Sequence, residues 1–408
     1  MTTNHPLSDE EINAFGAELD ALRNRVRADL GEKDARYIRR VRSSVRLSEA
    51  AGRGLLFAGF FPPTWVGGTL LLSFSKIVEN MELGHNVMHG QYDWMNDPEF
   101  HGNTYEWNNA CPSDAWRHTH NYLHHTYTNV LGRDHDLGYG VVRLFPEQRW
   151  TRFYLGQPLW ATIQALTFQH AIAVYDLQVP RVLKGKVPVS ELLPKLKQVA
   201  GKVGQTSLRD YVVFPALAGP NFLGVLAGNG VANVVRNLWT FGIIFCGHFT
   251  GDAEVYPPSV LENESRGHWY LRQLGGSGNL SGGPWFHFMS GNLSHQIEHH
   301  LFPDIPAHRY AEMAVEVKAI CEKYGVHYNV GPFHRQFGSV VKRIFRHALP
   351  NRPEDAQPAA GVAAPPAAAA ARATAPRQAS PAQKLDDTLR RLQQWLDSTQ
   401  PADASAAA

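Results

Sequence analysis

Residues 54–90 read GLLFAGFFPPTWVGGTLLLSFSKIVENMELGHNVMHG, and the parsing of this stretch decides the fold. No charged side chain falls between Arg53 and Lys76, and Leu55–Phe61 and Leu70–Phe74 are strongly apolar. Pro62-Pro63 interrupts the run, because proline lacks an amide N–H and its ring clashes with the preceding turn. Two helices meeting at the prolines are expected, roughly residues 46–61 and 64–83, the second leading directly into His85 and His89. A second charge-free run lies between Arg152 and Asp176. A third lies between Asp210 and Arg236 and resumes after that arginine to Gly251. A spanning helix needs about 20 mainly apolar residues. The expected fold is therefore an all-α integral membrane protein with about four transmembrane helices and a cytoplasmic helical cap.

Parity constrains the topology. Ligands to a shared site must converge, so the histidine clusters described below must lie on one side of the membrane. Residues 211–229 and 231–249, hinged at Asn229-Gly230, would form a two-crossing hairpin, with residues 153–175 interfacial or re-entrant. Letting 153–175 cross instead would put the basic loop 176–210 on the far side, with Arg181, Lys184, Lys186, Lys195, Lys197, Lys202 and Arg209. The positive-inside rule disfavours that. The expected location is a membrane, with the site facing the cytoplasm.

Outside this core, residues 1–47 read as a cytoplasmic lead-in. Ser8 and Glu11 form a capping-box signature, and Ile12, Phe15, Leu19, Leu22 and Val26 follow at helical spacing. This predicts an amphipathic helix packed on the main body, or one lying on a membrane surface. The membrane domain is expected over residues 48–350. In residues 351–408 an Ala/Pro-rich linker (351–380) has no means of forming a core. Beyond it Leu385, Leu389, Leu392 and Leu396, with Trp395 beside them, predict a short tail helix. The net charge is +2, from 39 basic and 37 acidic side chains, and gives no electrostatic argument for nucleic acid. The three cysteines, Cys111, Cys246 and Cys321, form no CxxC and too few pairs for a disulfide framework.

The histidines carry the chemistry. There are 20, and they cluster. His85 and His89 stand at i, i+4, which puts both imidazoles on one helical face. In Trp116-Arg117-His118-Thr119-His120-Asn121-Tyr122-Leu123-His124-His125, His120 and His124 again share a face. His125 lies about 100° further round and so faces a neighbouring site, an offset that a dinuclear centre could use. His118 points away from both. The third cluster is His295-Gln296-Ile297-Glu298-His299-His300; Gln296 and His295 compete for one further ligand position. His248 ends the last apolar run at the same depth and is a further candidate. His101, His135, His268, His287, His308, His327 and His334 have no partner at ligand spacing. Imidazole suits iron, zinc, copper and nickel, so residue type does not name the metal. Some eight histidines exceed the needs of one tetrahedral zinc, and two metals with open positions fit better.

The pattern HxxxH, HxxxHH and QxxHH resembles the membrane fatty-acid desaturase family, in its bacterial acyl-CoA and acyl-lipid branch of the stearoyl-CoA type. The likeness covers most of residues 50–335 and rests on GHNVMHG with QYDWMNDP, on WRHTHNYLHHTYTN, and on GNLSHQIEHHLFPDIP. It implies two non-haem iron ions, dioxygen as co-substrate, and insertion of a cis double bond, with Δ9 favoured, into an acyl-CoA or acyl-lipid. Carried over position by position, His85, His89, His120, His124, His125, His299 and His300 match ligands, and His248 matches the family's additional histidine. Gln296 stands where another branch of the family has histidine. No dinucleotide fingerprint, iron–sulfur cluster motif or fused haem motif appears. Electrons are thus expected from outside, through a ferredoxin, rubredoxin or cytochrome b5 with an NAD(P)H reductase. The basic stretches 176–210 and Arg335–Arg346 are candidate contacts for that carrier, for acyl-CoA phosphate or for membrane lipid. Trp65, Trp94, Trp107, Trp239 and Trp269 are candidate wall or interface aromatics. Two other functions use the same residues. A hydroxylase or epoxidase would rebound oxygen onto the chain, and a metal transporter or zinc-bearing receptor would use the histidines without oxygen chemistry. A transporter should carry ionisable residues inside its spans, where only Arg236 falls.

Overall fold

The computed structural model describes residues 7–179, 182 and 188–356. The expected linker and tail helix lie outside the described residues, as do Arg181, Lys184 and Lys186 of the basic loop. Helix α1 (Asp9–Ala28) starts at Ser8, whose hydroxyl accepts from the Glu11 amide while the Glu11 carboxylate accepts from the Ser8 amide. Its apolar stripe, with Phe15 and Leu19 fully buried, packs into a core with Tyr270, Leu301, Phe302 and Met313. The lead-in is therefore a helix docked on the body.

The helix expected over about 46–61 instead starts far earlier, as α2 (Glu32–Phe57), and ends inside the first apolar stretch, and α3 (Pro62–Val78) begins on the two prolines. A proline at the first helical position costs nothing, since that N–H has no intrahelical partner. The two helices cross at Gly52 and Gly68: a Cβ on Gly68 would lie 2.8 Å from the Gly52 carbonyl oxygen and 2.9 Å from the Leu56 amide. The next apolar run, expected as one helix over 153–175, is split into α4 (Gln157–Leu166) and α5 (Phe168–Asp176) around Thr167. After α6 (Val189–Leu208) the chain turns at residues 218–221 into α7 (Phe222–His248). Asn229-Gly230 therefore lies inside one continuous helix and hinges nothing.

The expected four transmembrane helices are not found among the described residues. Among the described residues no helix is both long and apolar enough to cross a membrane. The reason lies in what freedom from charge does not reveal. The α3 helix has 17 residues before the backbone changes geometry, and α7 carries Asn229, Asn233, Arg236 and Asn237 along its length. Around Arg236 the charges excluded from the apolar runs meet in the interior. Lys76 Nζ donates to Asp210 Oδ2 at 2.6 Å, and Arg53 and Arg209 each donate to Asp210 Oδ1 at 3.2 Å. Three cations around one carboxylate hold Asp210 well below the ordinary carboxylate range, overcoming the opposing effect of burial. Paired in this way, the charges can be buried.

The rest of the chain closes over the α3–α7 pair. It comprises α8 (Arg266–Gly275), strand β1 (Asn279–Ser281), α9 (Gln296–Leu301), α10 (Tyr310–Lys323), strand β2 (Val330–Pro332) and α11 (Phe333–Ala348). The strands pair in parallel, Asn279 opposite Val330 and Ser281 opposite Pro332, and tie the third histidine cluster to the C-terminal helices.

Candidate metal centre

Each cluster is placed by a different local device. Helix α3 runs into a π-helical turn, Glu79–His85, before His89, and the second cluster lies in another, Arg117–His124. Both depart from the α-helical geometry that i, i+4 spacing suggests. Such widened turns let side chains project differently from those of a regular helix. His85 and His89 still lie adjacent, with ring centroids 4.8 Å apart, as do His120 and His124 at 5.1 Å. The third cluster sits on α9, led in by Gly291 at φ +67°. A Cβ there would lie 2.6 Å from the Met81 carbonyl, so the loop packs directly on the helix bearing the first cluster. His248 is the last residue of α7.

These devices bring nearly all the candidates together. His85, His89, His120 and His299 form one group whose ring nitrogens lie within 4.8 Å of one another; His124, His248 and His300 form a second, and His125 with His299 and His300 bridges them. His125 stacks on His300 with centroids 4.3 Å apart and also meets His89 at 4.7 Å, between the two groups. The Gln296 amide comes 2.9 Å from His248 Nε2, and its Oε1 is buried without a partner. His295 turns away and stacks on His287, so of those two competitors Gln296 is the one at the centre. His118 is exposed and stacks on Tyr122.

Four rings have a fixed tautomer. His120 Nδ1 donates to Asp136 Oδ2 at 2.9 Å, His124 Nδ1 to Asp134 at 3.0 Å, His248 Nδ1 to the Gly276 carbonyl at 3.0 Å, and His300 Nδ1 to Gln273 Oε1 at 3.0 Å. With the proton on Nδ1, each Nε2 offers a lone pair to the centre. Asp134 and Asp136, in Arg133-Asp134-His135-Asp136, were not among the residues read from sequence, nor was Gln273. Two carboxylates shortly after a histidine cluster were the available signal, since a ligating histidine commonly donates its other N–H to a carboxylate.

The donor set fits a metal centre. Burial, with repulsion from neighbouring rings, pushes His85, His89, His125, His299 and His300 well below the usual histidine range and His248 down to about 3, so these imidazoles are neutral. Burial likewise lowers His120. It also disfavours a charged His124, but the Asp134 carboxylate outweighs it and raises that imidazole; a metal ion competes with such a second proton. Nε2 of His89 and His120 and both nitrogens of His125 are buried with no hydrogen-bond partner. His248 Nε2 faces those of His300 and His124 at 3.0 and 3.2 Å. Unpaired buried acceptors cost about 1–3 kcal/mol each, and lone pairs set against one another repel. A cation among them removes both penalties.

A narrow cavity opens beside the centre. His85, His120 and Asp136 line it, with Met81, Trp107, Trp116, Tyr139, Phe168, Ile172 and Ile244 as largely apolar walls. Of the tryptophans singled out by sequence, Trp107 alone lines it.

Comparison with known proteins agrees with this geometry. The family model described as fatty acid desaturase matches residues 61–332. The chain is 44% identical over 350 residues to the NADPH-dependent stearoyl-CoA 9-desaturase of Mycobacterium tuberculosis, covering 85% of this chain and 82% of that protein. It is 30% identical over 293 residues to the sn-1 linoleoyl-lipid 6-desaturase of a Synechocystis strain, covering 68% and 79%. Three histidine clusters converging beside an apolar cavity, together with these likenesses, place the chain in the fatty acid desaturase family.

Proposed function

We propose that this desaturase introduces a cis double bond at the ninth position of a saturated acyl-CoA, using two iron ions. The observation that carries the reading is the convergence of three separated histidine clusters on one buried, neutral centre beside a cavity with apolar walls. His85, His89, His120 and His299 would hold one ion; His124, His248, His300 and Gln296 the other; and His125 stands between. When bound, iron with dioxygen supplies an oxidant able to take hydrogen from an unactivated methylene, which zinc cannot supply.

The chain's own residues prepare that chemistry. Asp134, Asp136, Gln273 and the Gly276 carbonyl hold four rings in one orientation, so the donor atoms need little rearrangement. The cavity walls keep an acyl chain against His85 and His120 and exclude water, which protects a reactive oxidant from side reactions. The acyl-CoA and Δ9 assignments are supported by the mycobacterial relative's name. That relative is NADPH-dependent, and electrons are proposed to pass from NADPH through a separate reductase and carrier, with Lys197, Arg335 and Lys342 on the exposed basic surface. The working location is proposed to be a bacterial inner membrane, with the site on the cytoplasmic side. The exposed apolar side chains Phe61, Leu70, Leu217 and Leu223 support lipid contact.

The test is expression in a host lacking its own desaturase, with fatty-acid and metal analysis. A monounsaturated product two hydrogens lighter than its precursor, with its double bond at position 9, and about two irons per chain are expected. A product gaining one oxygen, or protein holding a single zinc and no iron, would overturn the reading.

A further inference from the structure

Along one face of α7, Arg236, Thr240 and Ile244 recur at i, i+4 and i+8 and form one wall of the cavity beside the histidines. From Ile244, nearest His248, to Arg236 the helix rises about 12 Å. The lining changes along that distance. Near the histidines it is mainly aromatic and aliphatic; at Arg236 it becomes polar, with Asn237, Asn80, Asn109 and Gln169.

Arg236 is only 3% exposed, yet it is poorly satisfied. Its Nη2 reaches Asn233 Oδ1 and Asn237 Oδ1 only at 3.4 Å, and its Nε–H has no partner. The Thr240 hydroxyl, one turn nearer the histidines, is buried and also unpartnered. Two buried donors without partners on the cavity wall are costly unless an occupant satisfies them. A second, water-sized gap shares Arg236 and Gln169 with the first cavity and is lined also by Lys76, Arg209 and the half-buried His170, Thr206 and Ser207.

We propose that Arg236 and Thr240 donate hydrogen bonds to the carbonyl oxygen of the acyl thioester. Resting on the acyl-CoA desaturase reading, this makes Arg236 a positioning residue. The chain is measured into the histidine centre from its carboxyl end, so the helical rise between Arg236 and the histidines sets where the double bond falls. A methyl terminus at this place would leave both donors unsatisfied, whereas a carbonyl oxygen accepts from both.

The purified enzyme discriminates the possibilities through two probes, stearoyl-CoA and S-octadecyl-CoA, a thioether without the carbonyl. Wild type should bind stearoyl-CoA about tenfold more tightly. Arg236→Met should erase that preference while binding the thioether as wild type does, and should scatter the double bond over several positions. Arg236→Lys should restore a single position, and Thr240→Val, which keeps the shape of the side chain, should lose part of the preference. If wild type shows no preference, or if Arg236→Met weakens both ligands alike with the product position unchanged, the proposal is wrong. Wild type that binds neither probe overturns the acyl-CoA reading, and this proposal with it.

Discussion

Asp136 illustrates how much of a candidate metal centre lies outside its histidines. Burial, opposed by His124 and reinforced by Asp134, pushes its carboxyl up to about 6, while its Oδ2 accepts from His120 Nδ1 at 2.9 Å. Removing it frees the His120 ring to rotate or change tautomer, with no ligand lost. Asp136→Ala is therefore expected to lower metal affinity about 10–100-fold, the usual effect of deleting such a partner. Metal retained after graded exposure to a chelator measures it, and full retention would show that packing against Trp116 alone holds the ring.

Among the elements, the α2–α3 crossing fixes the height of the first histidine cluster, since α3 runs straight into it. The crossing depends on two residues without side chains. A Cβ on Gly52 would lie 2.9 Å from the Leu72 amide, and one on Gly68 lies equally close to α2 backbone. Neither neighbour is the end of a flexible side chain, so the helices must separate. Gly68→Val is expected to destabilise the fold by about 1–3 kcal/mol through overpacking. It should also displace His85, lowering metal content in whatever protein does fold. Thermal unfolding and metal analysis of the same sample check both; an unchanged melting temperature would show that the crossing has slack.

At the scale of the whole molecule, charge and apolar surface are segregated. Arg53, Lys76, Asp210 and Arg236 are buried, while Leu70 and Leu217 are 65% and 68% exposed and Leu223 74% exposed. Exposed apolar side chains in such number mark a surface that meets something apolar. On fractionation of the expressing cells, the protein is expected to pellet with membranes and to resist extraction by high salt, because apolar contact is not screened. Recovery in the soluble fraction at low salt would show that this surface meets a protein partner instead.

The amino-acid sequence by itself determined the histidine centre and the family. Imidazole spacing is a local property, and His85, His89, His120, His124, His125, His248, His299 and His300 were all legible before any fold was known. The Ser8 capping box and the helix break at Pro62-Pro63 were legible for the same reason, since each depends on a few neighbouring residues. Tertiary structure alone decided that Gln296 and not His295 turns inward, because the end of α9 and its packing against His248 set that choice. It alone supplied Asp134, Asp136 and Gln273, whose roles exist only where separate segments meet. It also overturned the four spans: a run without charge says nothing of the lysine and arginines that flank it and fold inward onto Asp210. Pattern along the chain fixed which side chains do chemistry; packing across the chain fixed how they are held.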